Sequence, residues 1–512
     1  AADGPNAEAE MIRLGATPIE IGALEAGGVS ASALLTDLYQ LTMLRGYFAA
    51  NMEETAVFEF YVRRMPADWN FLVAAGLEQL ISFLENFRFA PDELEWLQRT
   101  GEFTTDVLTK LAELRFTGDV HAMPEGTIFF PDEPIVRVTA PLPQAQVIET
   151  RLINLLQFQT LIASKAARSV LAAPGKNLVE FGLRRTHGAE AGLFAARACY
   201  LAGFAGSSNV LARRQWGIPW AGTMAHSFVQ AFASEEEAFL RFARANPEHV
   251  VLLIDTYDTE AAAAKVVKLG PVLREEGIQI KGVRIDSGDL AEHAKRVRRI
   301  LDEGGLREVT IFASGNIDEH VLARLAAPDV PIDGFGVGTR VTTSADRPYL
   351  DSAYKLQVHA GEPRCKHSEG KATWPGAKQV YRQFGADGSM EADTIALADE
   401  PPDGKPLLEW VMRQGRRVGE APPLAVLRER FRQQLDLLPR PLRSLTRQDL
   451  YLVQKSAGLR ALATQLGLLH TTGSTGPREE LDGPHRKGIL HRLYRDGDPL
   501  DDDDEAGSDV KA

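Results

Sequence analysis

Apolar residues recur with two different periods in the first 150 residues of the chain. Helical spacing and β-like alternation follow one another. The two helices and the strand that they predict are "ALLTDLYQLTMLRGYFAA" (33–50), "GLEQLISFLENF" (76–87) and "TAVFEFYVRRMP" (55–66). Thr36 or Asp37 is expected to cap the first helix, because a side-chain oxygen there can accept a hydrogen bond from a free backbone N–H. This region therefore predicts a mixed α+β fold.

From about residue 150 to residue 345 the chain repeats one pattern: an apolar strand, a short polar or glycine-rich turn and an amphipathic helix. Seven strand ends are recognisable: "FGLRR" (181–185), "GFAGSSN" (203–209), "WAGTMAH" (220–226), "LLIDTYDT" (252–259), "VRIDSGD" (283–289), "IFASGNID" (311–318) and "GFGVGTR" (334–340). Strands that alternate with helices predict a parallel sheet. Seven such units in one run favour a (β/α) barrel, complete or incomplete, over two Rossmann halves.

The pattern changes again after about residue 346, where short strands are predicted to rejoin the N-terminal region and residues 406–465 predict Arg-rich helices. The expected organisation is a loose arm (1–30), an α+β domain (31–150), a (β/α)-barrel catalytic domain (151–345), a C-terminal region that rejoins the N-terminal domain (346–470) and a disordered acidic tail (471–512).

Composition narrows the class of protein. The chain has 512 residues, of which 44% are hydrophobic and 25% charged, as in globular proteins. Its net charge of −13 lies largely in residues 496–512, with eight acids and one base, so nucleic acid is not expected as a partner. No apolar run reaches the roughly 20 residues that span a bilayer, and no secretory signal is predicted. Only two cysteines, Cys199 and Cys365, indicate a cytoplasmic protein.

Polar side chains follow the predicted strands of the barrel. Active sites of such barrels lie at the carboxyl ends of the strands, so residues far apart in sequence are expected to meet on one face. The residues at or just after these ends are Phe181, Arg184, Ser208, Thr223, His226, Asp255, Arg284, Asp286, Asn316 and Thr339.

This set of residue types indicates a phosphorylated ligand. Backbone N–H groups in glycine turns and arginine side chains bind phosphate oxygens, and aspartates beside phosphates usually hold Mg²⁺. Each residue alone also has a structural interpretation: His226 or Phe181 as a core residue, Arg184 as a surface charge, and "IDSGD" as an ordinary capped turn. Their shared position at strand ends favours a site for a phosphorylated sugar or nucleotide.

Seven motifs occur in a fixed order between about residues 33 and 345: "LLTDLYQLTM", "EFGLRRTHG", "GFAGSSNV", "GTMAHS", "GVRIDSGDL", "ASGNIDE" and "GFGVGT". Together they resemble the nicotinate phosphoribosyltransferases. The adjacent acid pair of type I phosphoribosyltransferases is missing, and "VLLIDTYDT" is only superficially similar to it. The resemblance therefore implies the type II fold, an irregular (β/α) barrel plus an α+β domain built from N- and C-terminal segments.

The resemblance also implies a reaction. The family joins nicotinate to 5-phosphoribosyl 1-diphosphate (PRPP), giving nicotinate mononucleotide and diphosphate, as the first step of NAD salvage from nicotinate. ATP is a co-substrate that phosphorylates a histidine, here His226 of "GTMAHS". Mg²⁺ is the expected cofactor, and a homodimer with shared active sites is the expected assembly.

Further roles are carried over to matching positions. Arg284 and Asp286 join His226 as catalytic residues. Tyr39, from the neighbouring subunit, and Phe181 are expected to hold the two faces of the pyridine ring. The full nicotinate-binding set is Tyr39, Phe181, Arg184, Ser208, Thr223 and Arg284. The phosphate-binding set is Gly315, Asn316, Gly338 and Thr339, and the candidate Mg²⁺ ligands are Asp255 and Asp286.

Several alternatives stay open. Related nicotinamide enzymes have an aspartate in the motif where this chain has Ser207 and Ser208, and an aspartate would repel a carboxylate substrate, so nicotinate is favoured. Other readings are a nicotinamide or other pyridine-acid transferase, such as the quinolinate enzyme, and a non-catalytic paralogue that binds nicotinate or PRPP. A barrel aldolase would need a lysine at a strand end, and the seven ends contain none.

Overall fold

The structure is a computed structural model that describes residues 32–366, 373–448 and 451–468. The predicted arm (1–30) and acidic tail (471–512) lie outside the described residues. No helix in the described part of the chain is long and apolar enough to cross a membrane.

The N-terminal region alternates helices and strands, as its hydrophobic pattern predicts. Its elements are α1 (Leu38–Ala49), β1 (Thr55–Val62), β2 (Leu72–Val73), α2 (Leu77–Asn86), α3 (Pro91–Thr100), α4 (Thr105–Glu113), β3 (Asp119–Ala122), β4 (Ile128–Phe129), β5 (Pro134–Pro141) and α5 (Leu142–Val147). The expected cap of α1 is wrong. Asp37 stands at the N-cap position, but its carboxylate accepts a hydrogen bond from the Thr150 hydroxyl at 2.8 Å and none from the helix.

The central region contains the repeated strand–helix units. Its elements are α6 (Glu149–Ala172), β6 (Asn177–Glu180), a 3₁₀ turn (Leu183–Arg185), α7 (Ala189–Leu201), β7 (Gly206–Ser207), α8 (Val210–Trp216), α9 (His226–Gln230), α10 (Glu235–Ala245), β8 (Val250–Leu253), α11 (Thr259–Glu275), β9 (Ile280–Ile285), α12 (Leu290–Glu303), β10 (Thr310–Ser314), α13 (Glu319–Leu325), β11 (Gly334–Val337) and α14 (Thr339–Thr342).

These six strands form one parallel sheet with the order β7-β6-β11-β10-β9-β8. The first strand of the run, β6, pairs with the last, β11, so the sheet curls into a barrel. Between β7 and β8 the barrel has only an isolated bridge from Ser207 to Trp220 in place of a strand. The prediction of an irregular (β/α) barrel is therefore confirmed, and all seven quoted strand ends lie at or beside its strands.

The C-terminal region adds strands to the N-terminal layer. Its elements are β12 (Ser352–His359), β13 (Glu362–Pro363), β14 (Lys378–Phe384), β15 (Met390–Leu397), β16 (Lys405–Pro406), β17 (Glu409–Arg413), β18 (Arg416–Arg417), α15 (Leu424–Leu437), a 3₁₀ turn (Arg440–Arg443), β19 (Leu452–Lys455) and α16 (Ala457–Gln465). The prediction that residues 406–465 are helical is wrong in part, because β17, β18 and β19 fall within them.

A seven-stranded sheet with the order β13-β12-β1-β5-β3-β17-β18 joins the two ends of the described chain. Strand β1 lies inside this sheet between β12 and β5, and seven of its eight residues are buried, so it does not show the exposed face that alternation predicts. A four-stranded sheet (β16-β14-β15-β19) and the pair β2-β4 complete the strands that the structure describes. The expected α+β layer built from both terminal segments is confirmed.

Helix α6 belongs to both hydrophobic cores. Leu152 and Leu156 pack in the core of the seven-stranded sheet, whereas Ile162 and Ala166 pack in the core of the barrel. Farther along α6, the buried cations Lys165 and Arg168 form ion pairs with Glu319 of α13 at 2.8 and 2.9 Å. The barrel is thus fixed against the sheet layer by one continuous helix. The predicted domain boundary at residue 150 falls at the start of that helix.

Candidate active site

A cleft of about 670 Å³ opens at the carboxyl ends of the barrel strands. Eleven of the thirteen residues predicted for the site line it: Phe181, Arg184, Ser208, Thr223, His226, Arg284, Asp286, Gly315, Asn316, Gly338 and Thr339. In sequence, these residues extend from the end of β6, the first strand of the barrel, to the end of β11, the last. The cleft therefore exists because the sheet curls and brings these ends together.

Phe181 lies at the closed side of the barrel. It directly follows β6, and its backbone N–H donates to the Val337 carbonyl of β11 at 2.9 Å. Its ring packs over Gly336, where a Cβ would approach the ring to 2.5 Å, so no larger residue fits beneath it without displacing the ring. The half-buried ring presents its other surface to the cleft.

The two adjacent serines at the end of β7 have different contacts. Ser208 lines the cleft, whereas Ser207 is buried and donates its hydroxyl to the Glu180 carboxylate at 2.6 Å. Neighbouring residues on an extended backbone point in opposite directions, which explains the difference. Of the two serines singled out in the sequence, only Ser208 can contact a ligand in the cleft.

Arg284 is held rigidly at the centre of the site. Its guanidinium donates to the Thr223 hydroxyl at 2.6 Å and to the Met224 carbonyl at 3.0 Å. Burial lowers the pKa of Arg284, while the nearby carboxylates of Asp286 and Asp255 raise it. An arginine with several N–H donors in a fixed plane can still bind a ligand carboxylate or phosphate while two donors stay engaged.

His226 is the first residue of α9 and presents one ring nitrogen to each side. Nδ1 lies 3.1 Å from the Thr256 hydroxyl, and Nε2 lies 3.9 Å from a carboxylate oxygen of Asp286. The side chain is 39% exposed. With Nδ1 engaged by Thr256, Nε2 is the nitrogen available to the cleft.

Two aspartates form a small acidic group beside His226. Asp286 accepts a hydrogen bond from the Ser314 hydroxyl through one oxygen, and its backbone N–H donates to Asp255 at 3.0 Å. The same Asp255 oxygen accepts from Ser287 at 2.6 Å. Its other oxygen, Oδ1, is buried without a hydrogen-bond partner among the described residues. Asp255 thus lies behind Asp286 and does not itself line the cleft.

The turn of Gly315 and Asn316, which lines the cleft, has unusual backbone geometry. Gly315 has φ +104° and Asn316 has φ +49°, both in the left-handed region. A Cβ on Gly315 would come within 2.1 Å of the Asp286 carbonyl oxygen, so this turn packs directly on the strand end that carries Asp286. The Asn316 amide oxygen accepts from Arg340 at 3.0 Å, which joins the turn to the loop of Gly338 and Thr339.

Tyr39 is the predicted site residue that lies apart from this cleft. It is in α1, is 47% exposed, and donates its hydroxyl to Glu149 at 3.4 Å. A tyrosine supplied to a second subunit would need to be exposed in this way. Its contribution to an active site stays a prediction.

Some residues of the site were missed in the sequence. Thr256 and Ser314 stand inside the quoted strand ends "LLIDTYDT" and "IFASGNID" but were not selected, although their hydroxyls contact His226 and Asp286. Their position at a strand end was the available signal. Leu183, Arg185, Met224 and Ile317 also line the cleft and also stand inside quoted strand ends, but they were not selected.

Comparison with known proteins agrees with this geometry. Residues 34–157 match the nicotinate phosphoribosyltransferase (NAPRTase) N-terminal domain, and residues 176–372 match the nicotinate phosphoribosyltransferase (NAPRTase) family. A nicotinate phosphoribosyltransferase of Mycobacterium tuberculosis is 49% identical over 414 residues, which cover 81% of this chain and 89% of the relative. The chain belongs to the nicotinate phosphoribosyltransferase family.

More distant members of the family cover the chain as fully. The human nicotinate phosphoribosyltransferase is 34% identical over 521 residues, covering 85% of this chain and 97% of the relative. The crystal structure of human nicotinic acid phosphoribosyltransferase superposes with a TM-score of 0.77 at 32% identity, over 84% of this chain and 100% of that one. A nicotinate-nucleotide pyrophosphorylase from Pyrococcus furiosus gives 0.67 at 26% identity, over 82% and 98%.

The Gly315 turn provides a test of the site's packing. Gly315→Ala introduces a Cβ against the Asp286 carbonyl and also strains a positive φ, whereas Gly305→Ala meets only the second cost, since φ is +75° and nothing lies within 4 Å. We expect Gly305→Ala to lower the free energy of unfolding by about 1 kcal/mol and Gly315→Ala by about 1–3 kcal/mol more. Denaturant unfolding of both variants measures the difference. Equal losses would contradict the close packing of this turn on the strand end.

Proposed function

We propose that this protein is a nicotinate phosphoribosyltransferase, which joins nicotinate to PRPP and releases diphosphate, in the first step of NAD salvage from nicotinate. The observation that carries the proposal is the joint cleft, in which Phe181, Ser208 and Arg284 line the same space as the Gly315 and Gly338 turns. Membership of the family supports the same reaction. The small number of cysteines supports a cytoplasmic location.

Nicotinate needs a flat apolar surface for its ring and a cation for its carboxylate. Phe181 supplies the surface, and Arg284 supplies the cation from a position that Thr223 fixes. Ser208 and Arg184 stand at the edge of the same region and bring hydrogen-bond donors without a negative charge. The role of these residues is to hold the pyridine nitrogen toward C1 of the ribose, which is a positioning effect.

The phosphate groups of PRPP fit the glycine turns of the same cleft. The turns of Gly315–Asn316 and Gly338–Thr339 offer backbone N–H groups to phosphate oxygens, as glycine turns at the ends of parallel strands do. In the reaction the bond from C1 of the ribose to the diphosphate oxygen breaks, and a bond from C1 to the pyridine nitrogen forms. Positive charge develops on the sugar, and negative charge on the departing diphosphate must be neutralised.

The acidic group suits Mg²⁺. The described residues contain no cluster of three or more His, Cys, Asp or Glu side chains that could hold a metal alone. Mg²⁺ is commonly held by one or two carboxylates together with substrate phosphates. Asp286, which faces the cleft, and Asp255, whose buried Oδ1 has no hydrogen-bond partner among the described residues, are the residues that would hold it. Bound there, the ion would neutralise negative charge on the diphosphate.

His226 is placed to accept a phosphoryl group from ATP. In that step the bond from the γ-phosphorus to the β–γ bridging oxygen breaks, a bond from phosphorus to the ring nitrogen forms, and ADP leaves. The nitrogen that forms the bond is Nε2, because Nδ1 lies against the Thr256 hydroxyl. The phosphohistidine would bring negative charge next to Asp286 and so favour the binding of cations that PRPP also uses. Its hydrolysis would draw the condensation forward.

One experiment tests the reaction and its coupling together. We expect the purified protein to form nicotinate mononucleotide from nicotinate and PRPP, faster with ATP and only in the presence of Mg²⁺. Incubation with [γ-³²P]ATP should give an acid-labile, base-stable label that His226→Ala abolishes. Label that persists in His226→Ala would refute the phosphohistidine. Nucleotide from nicotinamide or quinolinate alone would identify a related enzyme, and binding without turnover would identify a non-catalytic paralogue.

Ser208 tests the choice of substrate. Ser208→Asp places a carboxylate beside the position of the nicotinate carboxylate, which should cost about 2 kcal/mol and raise the nicotinate KM about 30-fold, while some nicotinamide is accepted. Ser208→Ala is the matched control, since it removes the hydroxyl without adding charge. Steady-state kinetics with both substrates measure the effect. Identical selectivity in Ser208→Asp and Ser208→Ala would show that charge at this position does not select nicotinate.

We further propose a homodimer in which exposed Tyr39 completes the cleft of the partner subunit. Mixing the inactive variants Tyr39→Ala and His226→Ala, with subunit exchange, should then restore about a quarter of wild-type activity, because half of the dimers have one intact site. Mixing Phe181→Ala with His226→Ala is the control and should restore nothing, since both residues line the same chain's cleft. Equal recovery in both mixtures, or none in either, would contradict the shared site.

A further inference from the structure

Glu180 is a fully buried acid directly behind the cleft, and the reaction proposed above does not use it. It is the last residue of β6 and precedes Phe181. One carboxylate oxygen accepts a hydrogen bond from the backbone N–H of Gly182, and the other accepts from the Ser207 hydroxyl at 2.6 Å. These two donors belong to different strand ends, since Gly182 follows β6 and Ser207 is the last residue of β7. We call this pair of hydrogen bonds the Glu180 tie.

Each end of the Glu180 tie lies next to a residue that lines the cleft. Gly182 follows Phe181, and Ser207 precedes Ser208. The main chain strengthens the connection, because the Ser208 N–H donates to the Glu180 carbonyl at 2.9 Å. The Ser207 hydroxyl oxygen also accepts from the Asn209 N–H at 2.9 Å, and Asn209 caps α8. Ser208 is therefore bracketed by two residues whose positions depend on the tie.

The tie joins two strand ends through one acidic side chain. In the part of the chain that the structure describes, no salt bridge reaches Glu180, so both of its oxygens are held by neutral donors. Burial raises the pKa of Glu180 above its ordinary value, although the hydrogen bonds from Ser207 and Gly182 act to lower it. A carboxylate can accept from both donors at once, and a glutamine could hold the same partners by donating to the Ser207 oxygen, whereas a methionine of similar length can hold neither. A buried acid without a cation is costly unless such donors are supplied.

The turn at Gly182 is tightly packed. A Cβ at this position would lie 2.3 Å from the Thr342 hydroxyl oxygen, so the backbone is pressed against α14. The Phe181 backbone is in turn paired to Val337. Phe181 therefore stays fixed by its pairing with Val337, and a change at the Glu180 tie moves the Ser208 end of the connection instead.

From this arrangement we propose that Glu180, through Ser207, is a positioning residue that sets the spacing between Phe181 and Ser208 and thereby the affinity for the pyridine substrate. The inference rests on the proposed function of the cleft. The phosphate-binding turn at Gly338 packs against Phe181 and Gly182, but Val337 and Thr342 hold that end of the tie in place. PRPP binding should therefore be largely independent of the tie.

The test uses Ser207→Ala, Glu180→Met and the double variant in the full chain. Each single variant breaks the hydrogen bond between the side chains at positions 180 and 207, and we expect the nicotinate KM to rise about tenfold with kcat and the PRPP KM within about twofold of wild type. Because both changes break the same connection, the nicotinate KM of the double variant should be about the same as that of the more strongly affected single variant. Ser169→Ala is the matched control: this buried serine lies in α6, outside the cleft lining, and should leave all three constants unchanged.

The outcomes separate the inference from the function on which it rests. Two results would overturn the positioning role without affecting the proposed function, provided that wild type forms the nucleotide. In one, the nicotinate KM stays within twofold of wild type in both single variants. In the other, the nicotinate KM and the PRPP KM rise together. Additive losses in the double variant also overturn it, because the two residues would then act separately. Should wild type form no nucleotide, calorimetric titration with nicotinate makes the same comparison, and absence of nicotinate binding overturns both proposals. Thermal unfolding of every variant separates loss of fold from loss of affinity.

Discussion

The site depends on the pairing of the first and last strands of the barrel. Residues Gly334–Val337 of β11 lie in parallel register with Asn177–Glu180 of β6, and this pairing turns a row of strand ends into a cleft. Glycines make the approach of the two strand ends possible. A side chain at Gly336 would collide with the Phe181 ring, and one at Gly338 would come within 2.9 Å of the Phe181 carbonyl. An open sheet with the same strands would leave these residues at opposite edges.

Around this pairing, neutral groups contact three ionisable side chains of the site. Thr223 and the Met224 carbonyl hold Arg284, Ser314 holds Asp286, and Thr256 contacts His226. Hydroxyls and backbone groups fix geometry without neutralising the charge, so the charge stays available to a ligand. The same kind of contact occurs behind the site, where two neutral hydrogen-bond donors hold the Glu180 carboxylate. Preorganisation of this kind is what a charge-separating reaction requires.

Much of this arrangement was predictable because polar residues directly after apolar strands must gather on one edge of a parallel sheet. That reasoning placed His226, Arg284 and Asp286 together correctly. It selected Ser208 for the cleft, where the structure places it, but it assigned no role to Ser207, whose side chain points the other way along the extended chain. It placed Asp255 in the cleft, whereas Asp255 supports Asp286 from behind.

The fold beyond the barrel was harder to predict for a related reason. Strand β1 is buried on both faces, so alternation does not describe it. The short strands β17 and β18 pair at the edge of a sheet assembled from distant segments, and their Arg-rich sequences have no strand pattern of their own. Tertiary pairing decides such segments, and sequence periodicity alone does not.

The central claim is that strand closure builds one pocket for both halves of the product. A crystal structure of the protein with bound nicotinate mononucleotide tests it most directly. The account predicts the pyridine ring against Phe181, its carboxylate toward Arg284, and the 5′-phosphate at the turns of Gly315 or Gly338. A mononucleotide bound elsewhere, or bound in the cleft with its phosphate against Phe181 and its ring at the glycine turns, would contradict it.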